Sequence, residues 1–267
     1  MLSTRNRVMP ASRSLLAAAL LAVLAGCASV PKDPQARAYY RQTNDPLEPT
    51  NRVLYVVNDA IDTVLLKPLA LAYHYGTPAF FQRGTHNVLA NLNTPVVLFN
   101  DMLEGNPRRA GDTLMRGLIN TTIGLVGIFD VASRVGYPAH SADFGITLAL
   151  WGVPSGPYLY LPLLGPSSPR DVVGLGGDYA LDPFTWVGHG YLVSDFGYAR
   201  LGLTAVDARA SVLSELNQVQ AQALDPYATL RSLYTQHRQA QINAARHDEP
   251  ATVPDWYPQP AKQLSAK

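Results

Sequence analysis

The chemistry that this 267-residue sequence defines most sharply belongs to its one cysteine, Cys27. Leu24-Ala25-Gly26 precedes it at the end of an apolar run that begins at Leu15, and three arginines without any acidic residue precede that run. A basic start, a short apolar stretch and small residues before the cleavage point are typical of a secretory signal peptide. We therefore predict that residues 1–26 are removed during export.

The predicted cleavage point ends on cysteine, which resembles the bacterial lipobox, where the thiol receives a diacylglyceryl group and the new amino terminus an acyl chain. A transmembrane anchor is the alternative, but a span needs roughly 20 apolar residues, and residues 31–33 bring a proline and two charges too soon. Two or more acyl chains hold a protein stably on a membrane. Residues 27–44 are thus predicted to be a lipidated tether, and Ala28 and Ser29 resemble a signal for the outer membrane.

A second pattern with functional meaning lies between residues 124 and 135. Gly124 and Gly127 are three residues apart, and the apolar residues Ile128 and Phe129 follow them. Because glycine permits a tight bend, the segment predicts a hinge with a short apolar flap beside the uncharged stretch of residues 144–169. The alternative is close packing of two helices through the glycines, and the spacing favours neither.

Motifs for catalysis, metals or cofactors are weak. The six histidines are scattered without the i, i+4 spacing of zinc ligands, and no cysteine remains to help. The glycine before Ser155 is one residue too far away for a Gly-x-Ser-x-Gly nucleophile elbow. Gly174-Leu175-Gly176-Gly177 lacks the third glycine of a dinucleotide loop. We predict that the protein is not an enzyme and holds no metal or cofactor.

The stretch of residues 144–169 carries no charge and no histidine, yet many prolines and glycines interrupt it. It cannot be one continuous helix, so we predict either deep core or the wall of a cavity in a membrane-embedded protein. Asp143, Arg170, Asp171 and Asp178 bracket the stretch. They could form a carboxylate site, but ion pairs and helix caps are favoured.

Composition argues against a nucleic-acid partner. Loss of the three signal arginines turns the formal net charge from +1 to −2, whereas nucleic-acid binding needs a concentrated basic surface. Charged residues make up 15% of the chain, against about 25% in ordinary soluble domains. Either the core is unusually large or part of the outside faces lipid.

The elements that must position these residues are predicted to be helices, so the fold class is all-α. Apolar residues recur at three- and four-residue steps from Val53 to Leu65, on one face of a helix that Pro68 should kink or end. Thr94 and Pro95 have the form of a cap and a first helical residue. The further predicted helices cover residues 78–92, 96–103, 110–122, 206–223 and 225–246. Residues 159–164 are the best strand candidate, cut by Pro162.

Several long motifs resemble the MlaA/VacJ family of outer-membrane phospholipid-transport lipoproteins, over residues 44–242. They are NDPLEPTNR at 44–52, LKP at 66–68, NTTxGxxGxxD at 120–130, DFG at 143–145, WGV at 151–153, GPYLxLPxxGPS at 156–167, RD at 170–171 and DPY at 225–227, with Arg231 and Tyr234. Glu104 stands where the family usually has Gln, and Leu89, Ile146 and Ala149 also depart from its pattern.

The resemblance implies a ring-shaped helical body at residues 45–246, set in the inner leaflet of the outer membrane and crossed by an amphipathic channel. Residues 247–267 are predicted to be a disordered Pro-rich tail. The implied function is removal of mislocalised phospholipid from the outer leaflet and its transfer to a periplasmic lipid carrier. The implied partners are phospholipids, that carrier and trimeric porins. A lipoprotein that only braces porins and a membrane-anchored lipid hydrolase are the alternatives.

We expect Cys27→Ala to abolish lipid attachment and to leave the chain unprocessed or in the wrong membrane, because the thiol is the acyl acceptor. Mass spectrometry of the mature amino terminus measures the modification directly. Cleavage at another position, or an unmodified Cys27 in the wild-type protein, would refute the lipoprotein prediction.

Overall fold

The computed structural model describes Asp33 and residues 43–186 and 191–247. The predicted signal peptide, Cys27, the tether before residue 43 (Asp33 apart) and residues 248–267 of the predicted tail lie outside these ranges. The described chain is mostly helical, as predicted. Its helices are α1 Glu48–Ile61, α2 Lys67–Gly76, α3 Ala79–Leu103, α4 Pro107–Thr122, α5 Phe144–Leu150, α6 Pro169–Leu181, α7 Pro183–Trp186, α8 Tyr191–Ser211, α9 Leu213–Gln222 and α10 Pro226–Arg246.

The described residues form one small sheet, so the fold is not purely helical. Strands β1 (Leu159–Leu161) and β2 (Gly165–Ser167) pair antiparallel, with Tyr160 opposite Pro166. The predicted strand over residues 159–164 is therefore half right. It stops at Pro162, where the chain turns back, because proline has no N–H to donate to a ladder.

Of the two outcomes predicted for Pro68, a kink or an end of the helix, the end is wrong, and so is the helix start predicted at Pro95. A π-helical turn, Asp62–Leu66, joins α1 to α2, so the chain stays helical through Pro68. The extra residue of a π turn relieves the clash between a proline ring and the carbonyl four residues earlier. Likewise α3 continues through Pro95. Here α4 packs so closely that a Cβ at Gly117 would lie 2.9 Å from Thr94 Cγ2, and this tertiary contact outweighs the local cap pattern.

The helix predicted over residues 206–223 is two helices in the structure. It divides at Val212, whose backbone leaves the helical region with φ −115° and ψ 19°. Ala210 and Leu213, on either side of the break, pack together with Ala70 of α2. The α8–α9 pair therefore bends around α2 instead of passing it as one straight rod.

The burial pattern of this chain is inverted relative to an ordinary soluble protein. Among the described residues, fifteen polar or charged residues are buried, as many as the buried apolar ones, and most of the latter are alanines or tyrosines. The predicted apolar stripe exists but faces outward, with Val56 of α1 63% and Val64 of the π turn 80% exposed, whereas the buried residue of α1 is Asn51. Exposed apolar surface on this scale indicates contact with lipid or with another protein.

One buried carboxylate, Asp45, holds the two ends of the described body together. Its Oδ2 accepts hydrogen bonds from Tyr227 Oη (2.5 Å) and Arg231 Nη1 (2.7 Å) of α10. Its Oδ1 accepts from Asn51 Nδ2 (2.8 Å) of α1. Asn51 also bonds to the hairpin, because its Oδ1 accepts from Tyr160 N (3.0 Å) and its Nδ2 donates to Tyr158 O (3.1 Å).

The charges that bracket the uncharged stretch form caps and ion pairs, as favoured from the sequence. Asp143 caps α5 by accepting from Ile146 N (2.9 Å) and receives both terminal nitrogens of Arg238 at 2.7 Å. Arg238 also donates to Asp171 (2.9 Å). Asp178 accepts from Asn100 Nδ2 and Phe144 N, both at 2.9 Å. Together these bonds join α3, α5, α6 and α10.

Two acidic residues, Asp101 and Glu104, have buried side chains at the C-terminal end of α3. Asp101 is well partnered, by Thr113 (2.5 Å) and His140 (2.8 Å). Glu104 is buried with a long 3.4 Å contact from Thr147, and its distance of 3.7 Å to Arg109 Nη1 exceeds a hydrogen bond. Burial therefore raises the pKa of Glu104 to about 7, against the attraction of Arg109.

We expect Glu104→Gln to stabilise the protein above neutral pH by up to about 3 kcal/mol. The folded-state pKa of Glu104 lies above its ordinary value of 4.5, so the ionised side chain lowers stability. The gain should be absent below about pH 4.5, grow as pH rises through 7 and then level off. Denaturant unfolding of the detergent-solubilised protein between about pH 4 and pH 8 measures it, with exposed Glu215→Gln as the control. A pH-independent difference would contradict this account.

Candidate functional site

The candidate site is a loop of residues 123–131, which we call the glycine loop, between α4 and a 3-10 turn at Ala132–Val135. It contains all four predicted flap residues, and neither of its glycines lies in a helix. Leu125 (φ 53°), Val126 (φ 59°) and Gly127 (φ 93°) are successive left-handed residues. A β-branched residue in this region is a genuine outlier, costing on the order of 1–3 kcal/mol, so the loop stores strain.

The two glycines are required by close contacts. A Cβ at Gly124 would lie 2.3 Å from the carbonyl oxygen of Phe129, across the loop itself. A Cβ at Gly127 would lie 2.6 Å from Asn91 Cβ of α3. Gly124 thus closes the loop on itself, and Gly127 brings it onto α3. The tight bend predicted from the glycines is present.

The base of the glycine loop is polar and well bonded. Asp130 accepts from Arg116 Nη2 (2.8 Å), Ser133 Oγ (2.6 Å) and Asn120 Nδ2 (3.1 Å). Asn120 Oδ1 also accepts from Ala132 N (2.9 Å). Burial alone would raise the pKa of Asp130, but the hydrogen bonds from Arg116 and Ser133 and the charge of Arg116 lower it overall.

The crest of the glycine loop is apolar and exposed. Its exposed side chains are Ile123, Leu125, Val126, Ile128 and Phe129. Phe129, for example, is 54% exposed, so the crest is available to a ligand or to a membrane. With this arrangement the crest can contact hydrocarbon while the hydrogen-bonded base stays in place.

An apolar groove of about 510 Å³ lies beside the crest, between α3, α8 and the loop. Its lining residues are Phe80, Phe81, Gly84, Thr85, Val88, Leu89, Leu92, Ile128, Phe196, Ala199, Arg200 and Leu203. Ile128 joins loop and groove, since a Cβ at Gly84 would lie 3.3 Å from Ile128 Cγ2. Arg200 is the charged residue of this lining, and its Nη1 donates to Asp182 (2.6 Å). The groove therefore suits a hydrocarbon chain.

Sequence reasoning missed the groove, although signals for it were present. Phe196, Ala199 and Leu203 follow helical spacing on α8, as do Gly84, Val88 and Leu92 on α3. These patterns predict two apolar helix faces. The two faces contact each other and Ile128 only in the tertiary structure, and local periodicity does not predict contacts between residues so far apart in sequence.

One cluster has the residue types of a catalytic triad but not its geometry. His140 Nε2 lies 2.8 Å from Asp101 and 3.4 Å from Thr113 Oγ1, so the same ring nitrogen faces both the acid and the hydroxyl. A triad needs the acid on one ring nitrogen and the nucleophile on the other. Thr113 donates directly to Asp101 instead and is buried. The described residues also contain no group of three or more His, Cys, Asp or Glu arranged to hold a metal ion.

Comparison with known proteins decides the family. The sequence model for "MlaA lipoprotein" matches residues 43–241. The chain belongs to the MlaA lipoprotein family. Two relatives are named intermembrane phospholipid transport system lipoprotein MlaA. The one from Haemophilus influenzae is 34% identical over 87% of this chain and 91% of its own length, and the one from Escherichia coli K12 is 32% identical over 80% and 82%.

The MlaA assignment extends to structure. A solved structure described as "Structural basis for maintenance of bacterial outer membrane lipid asymmetry" superposes with a TM-score of 0.63 and 29% sequence identity, covering 74% of this chain and 99% of that one. The MlaA match contains the whole glycine loop and every residue that lines the groove. Within the described ranges, no helix has both the length and the hydropathy that crossing a membrane would demand.

We expect Asp130→Asn to lower the free energy of unfolding of this MlaA protein by about 1–3 kcal/mol at neutral pH, through weaker charge-assisted bonds. Because the folded-state pKa of Asp130 is lowered, its contribution is present above the ordinary value of 3.8 and is lost as pH falls below it. The difference between the proteins should therefore shrink in acid, as measured by denaturant unfolding. Equal stability at neutral pH would show that the loop base is not held by this carboxylate.

Proposed function

We propose that this chain is an outer-membrane lipoprotein, anchored through Cys27 and facing the periplasm, that removes mislocalised phospholipid from the outer leaflet. It passes the lipid through an amphipathic channel to a periplasmic lipid carrier and so maintains the asymmetry of the membrane. Family membership supports the class of function, because two relatives are named lipoproteins of a phospholipid transport system. The observation that carries the proposal for this chain is the apolar crest of the glycine loop beside the apolar groove.

The groove and the crest match the demands of a phospholipid in transit. Each CH₂ of an acyl chain that leaves an apolar environment costs about 0.8 kcal/mol. A route for lipid therefore needs apolar surface without interruption, and Ile128 provides continuity between the loop and the groove. Transfer of intact lipid along such a route needs no covalent step.

The strain in the glycine loop supports a gating role. Leu125 and Val126 hold left-handed backbone, so the observed loop is raised in energy relative to alternatives with relaxed backbone. Its polar base is fixed by Asp130 and Asn120. The crest exposes its side chains, while backbone bonds such as Phe129 N to Gly124 O (2.9 Å) and the bond from Asn87 Nδ2 to Ile128 O (3.0 Å) hold it in the observed position and would have to break when it moves. In this proposal the crest moves as a flap hinged at Gly124 and Gly127, and lipid binding shifts its position.

The outward apolar side chains support a membrane-embedded body. Exposed residues of α1 and of the π turn, such as Val56 and Val64, would face acyl chains of the inner leaflet. The buried polar residues, which bond to one another, would then hold the helices together inside the body. In this proposal the helices surround the channel as a ring, and a part of the same apolar surface contacts the trimeric porins.

We expect Phe129→Arg to change the amount of phospholipid in the outer leaflet severalfold, without unfolding the protein, in cells that lack the native copy. Phe129 is 54% exposed, so a charge there stays solvated and does not disrupt a core. Placed on the crest, however, the charge opposes passage of hydrocarbon. The measurements are surface labelling of phospholipid and the level of folded protein.

Two matched variants control this experiment. Phe129→Leu keeps the crest apolar and should leave surface phospholipid unchanged, and Leu224→Arg adds the same charge at a fully exposed site outside the loop. Normal surface lipid in a folded Phe129→Arg protein would refute the gating role. A lipid-transfer assay separates the alternatives: intact lipid transferred supports the channel, cleavage products indicate a hydrolase, and neither indicates a brace for porins.

A further inference from the structure

A second cavity, of about 450 Å³, lies between α5, the hairpin, the start of α6 and α10. It shares no lining residue with the apolar groove, and its character is different. Its lining includes Arg170, Arg238 and Arg246 but only one acidic residue among those described, Asp171. Hydroxyls of Ser155 and Thr235 add polar groups. A cavity with this excess of cations suits an anionic group.

Two of the three arginines, Arg238 and Arg246, are not buried donors without a partner. Arg238 is committed, because it donates twice to Asp143, at 2.7 Å, and twice to Asp171, at 2.9 and 3.2 Å. Arg246 is exposed at the cavity rim, at the end of α10. Neither of them is a buried donor that awaits a ligand.

Arg170 is buried and incompletely bonded. Its side chain is 6% exposed, yet its bond to protein is a single one from Nε to Asp171 Oδ1 (3.2 Å). Among the described residues, its two terminal nitrogens have no hydrogen-bond acceptor, although they are not sealed from solvent as the buried unpartnered atoms elsewhere are. Asp171 also accepts hydrogen bonds from Tyr234 and Arg238, so its negative charge is shared between two arginines and does not fully neutralise Arg170. The paired donors of the guanidinium therefore remain for a group inside the cavity.

We infer that this cavity is an anion site in which Arg170 binds a phosphate group through its two terminal nitrogens. A guanidinium fork matches two oxygens of a phosphate, and partial burial of the arginine side chain strengthens the pair. A phospholipid headgroup is one source of this group, which rests on the proposed function, and free phosphate is the other. As a headgroup site it is a second station for lipid, separate from the groove that accepts hydrocarbon.

The test is calorimetric titration of the full acylated chain in uncharged detergent. The probes are dihexanoylphosphatidylglycerol, inorganic phosphate and dihexanoylglycerol, which lacks the phosphate. We expect the phosphate-bearing lipid to bind and the neutral lipid to bind much more weakly. Arg170→Gln should weaken binding about tenfold to hundredfold, since it removes two charge-assisted hydrogen bonds. Arg170→Lys should be intermediate, because it keeps the charge without the fork.

The control is Arg134→Gln, which removes an exposed positive charge from the 3-10 turn and should leave the affinity unchanged. Should Arg170→Gln fail to fold, as judged by circular dichroism, Arg170→Lys and the rim variant Arg246→Gln carry the test, and both should bind phosphate-bearing lipid less tightly. If the phosphate-bearing lipid binds and inorganic phosphate does not, the cavity is a headgroup site. If inorganic phosphate also binds, and its affinity falls as much in Arg170→Gln, the cavity is a site for free phosphate.

Affinity that does not depend on Arg170, or no binding of either phosphate probe, overturns the inference. This result is independent of transport. A folded Phe129→Arg protein with normal surface lipid would remove the proposed gate while leaving the anion site standing, and loss of the anion site would not touch the gate.

Discussion

The carboxylate of Asp45 is the interaction on which the rest of the structure depends. It receives Tyr227 and Arg231 from α10 and Asn51 from α1. Asn51 in turn fixes the hairpin that closes the uncharged stretch. Removal of one partner from a buried ion pair costs about 3–5 kcal/mol, because the other charge is left unpaired. One hydrogen-bond network, centred on Asp45, therefore joins the two ends of the body to the hairpin and to the cavity beside it.

Buried polar bonds of this kind are what the proposed contact with lipid would require. Where the surroundings are as apolar as a leucine side chain, burial of leucine no longer drives helices together. The described core follows this logic, since small alanines and hydrogen-bonded charges occupy it while large aliphatic side chains face outward. Bonds such as those of Arg238 to Asp143 and of Arg209 to Asp62 then supply the specificity that core packing gives a soluble protein.

Local patterns gave the helical class, the tight bend at Gly124 and Gly127, and the pairing of the charges around the uncharged stretch. The same patterns did not show that helix continues past Pro68 and through Pro95. A π turn relieves the steric clash at the first, and close packing of α4 against Thr94 offsets the lost hydrogen bond at the second. Periodicity also finds an apolar face without showing whether it faces core or lipid. The groove and the cavity at Arg170 escaped prediction since each is built from elements far apart in sequence.

The bond between Asp45 and Arg231 joins residues 186 positions apart. During synthesis, which begins at the amino terminus, Asp45 therefore lacks Arg231 until nearly all of the body has been made. Contacts of such long sequence separation form slowly, and during the delay the apolar stripe of α1 has neither lipid nor partner to cover it. An incompletely folded chain that exposes apolar surface is prone to aggregate, so slow formation of this one bond lengthens the period in which the chain can aggregate.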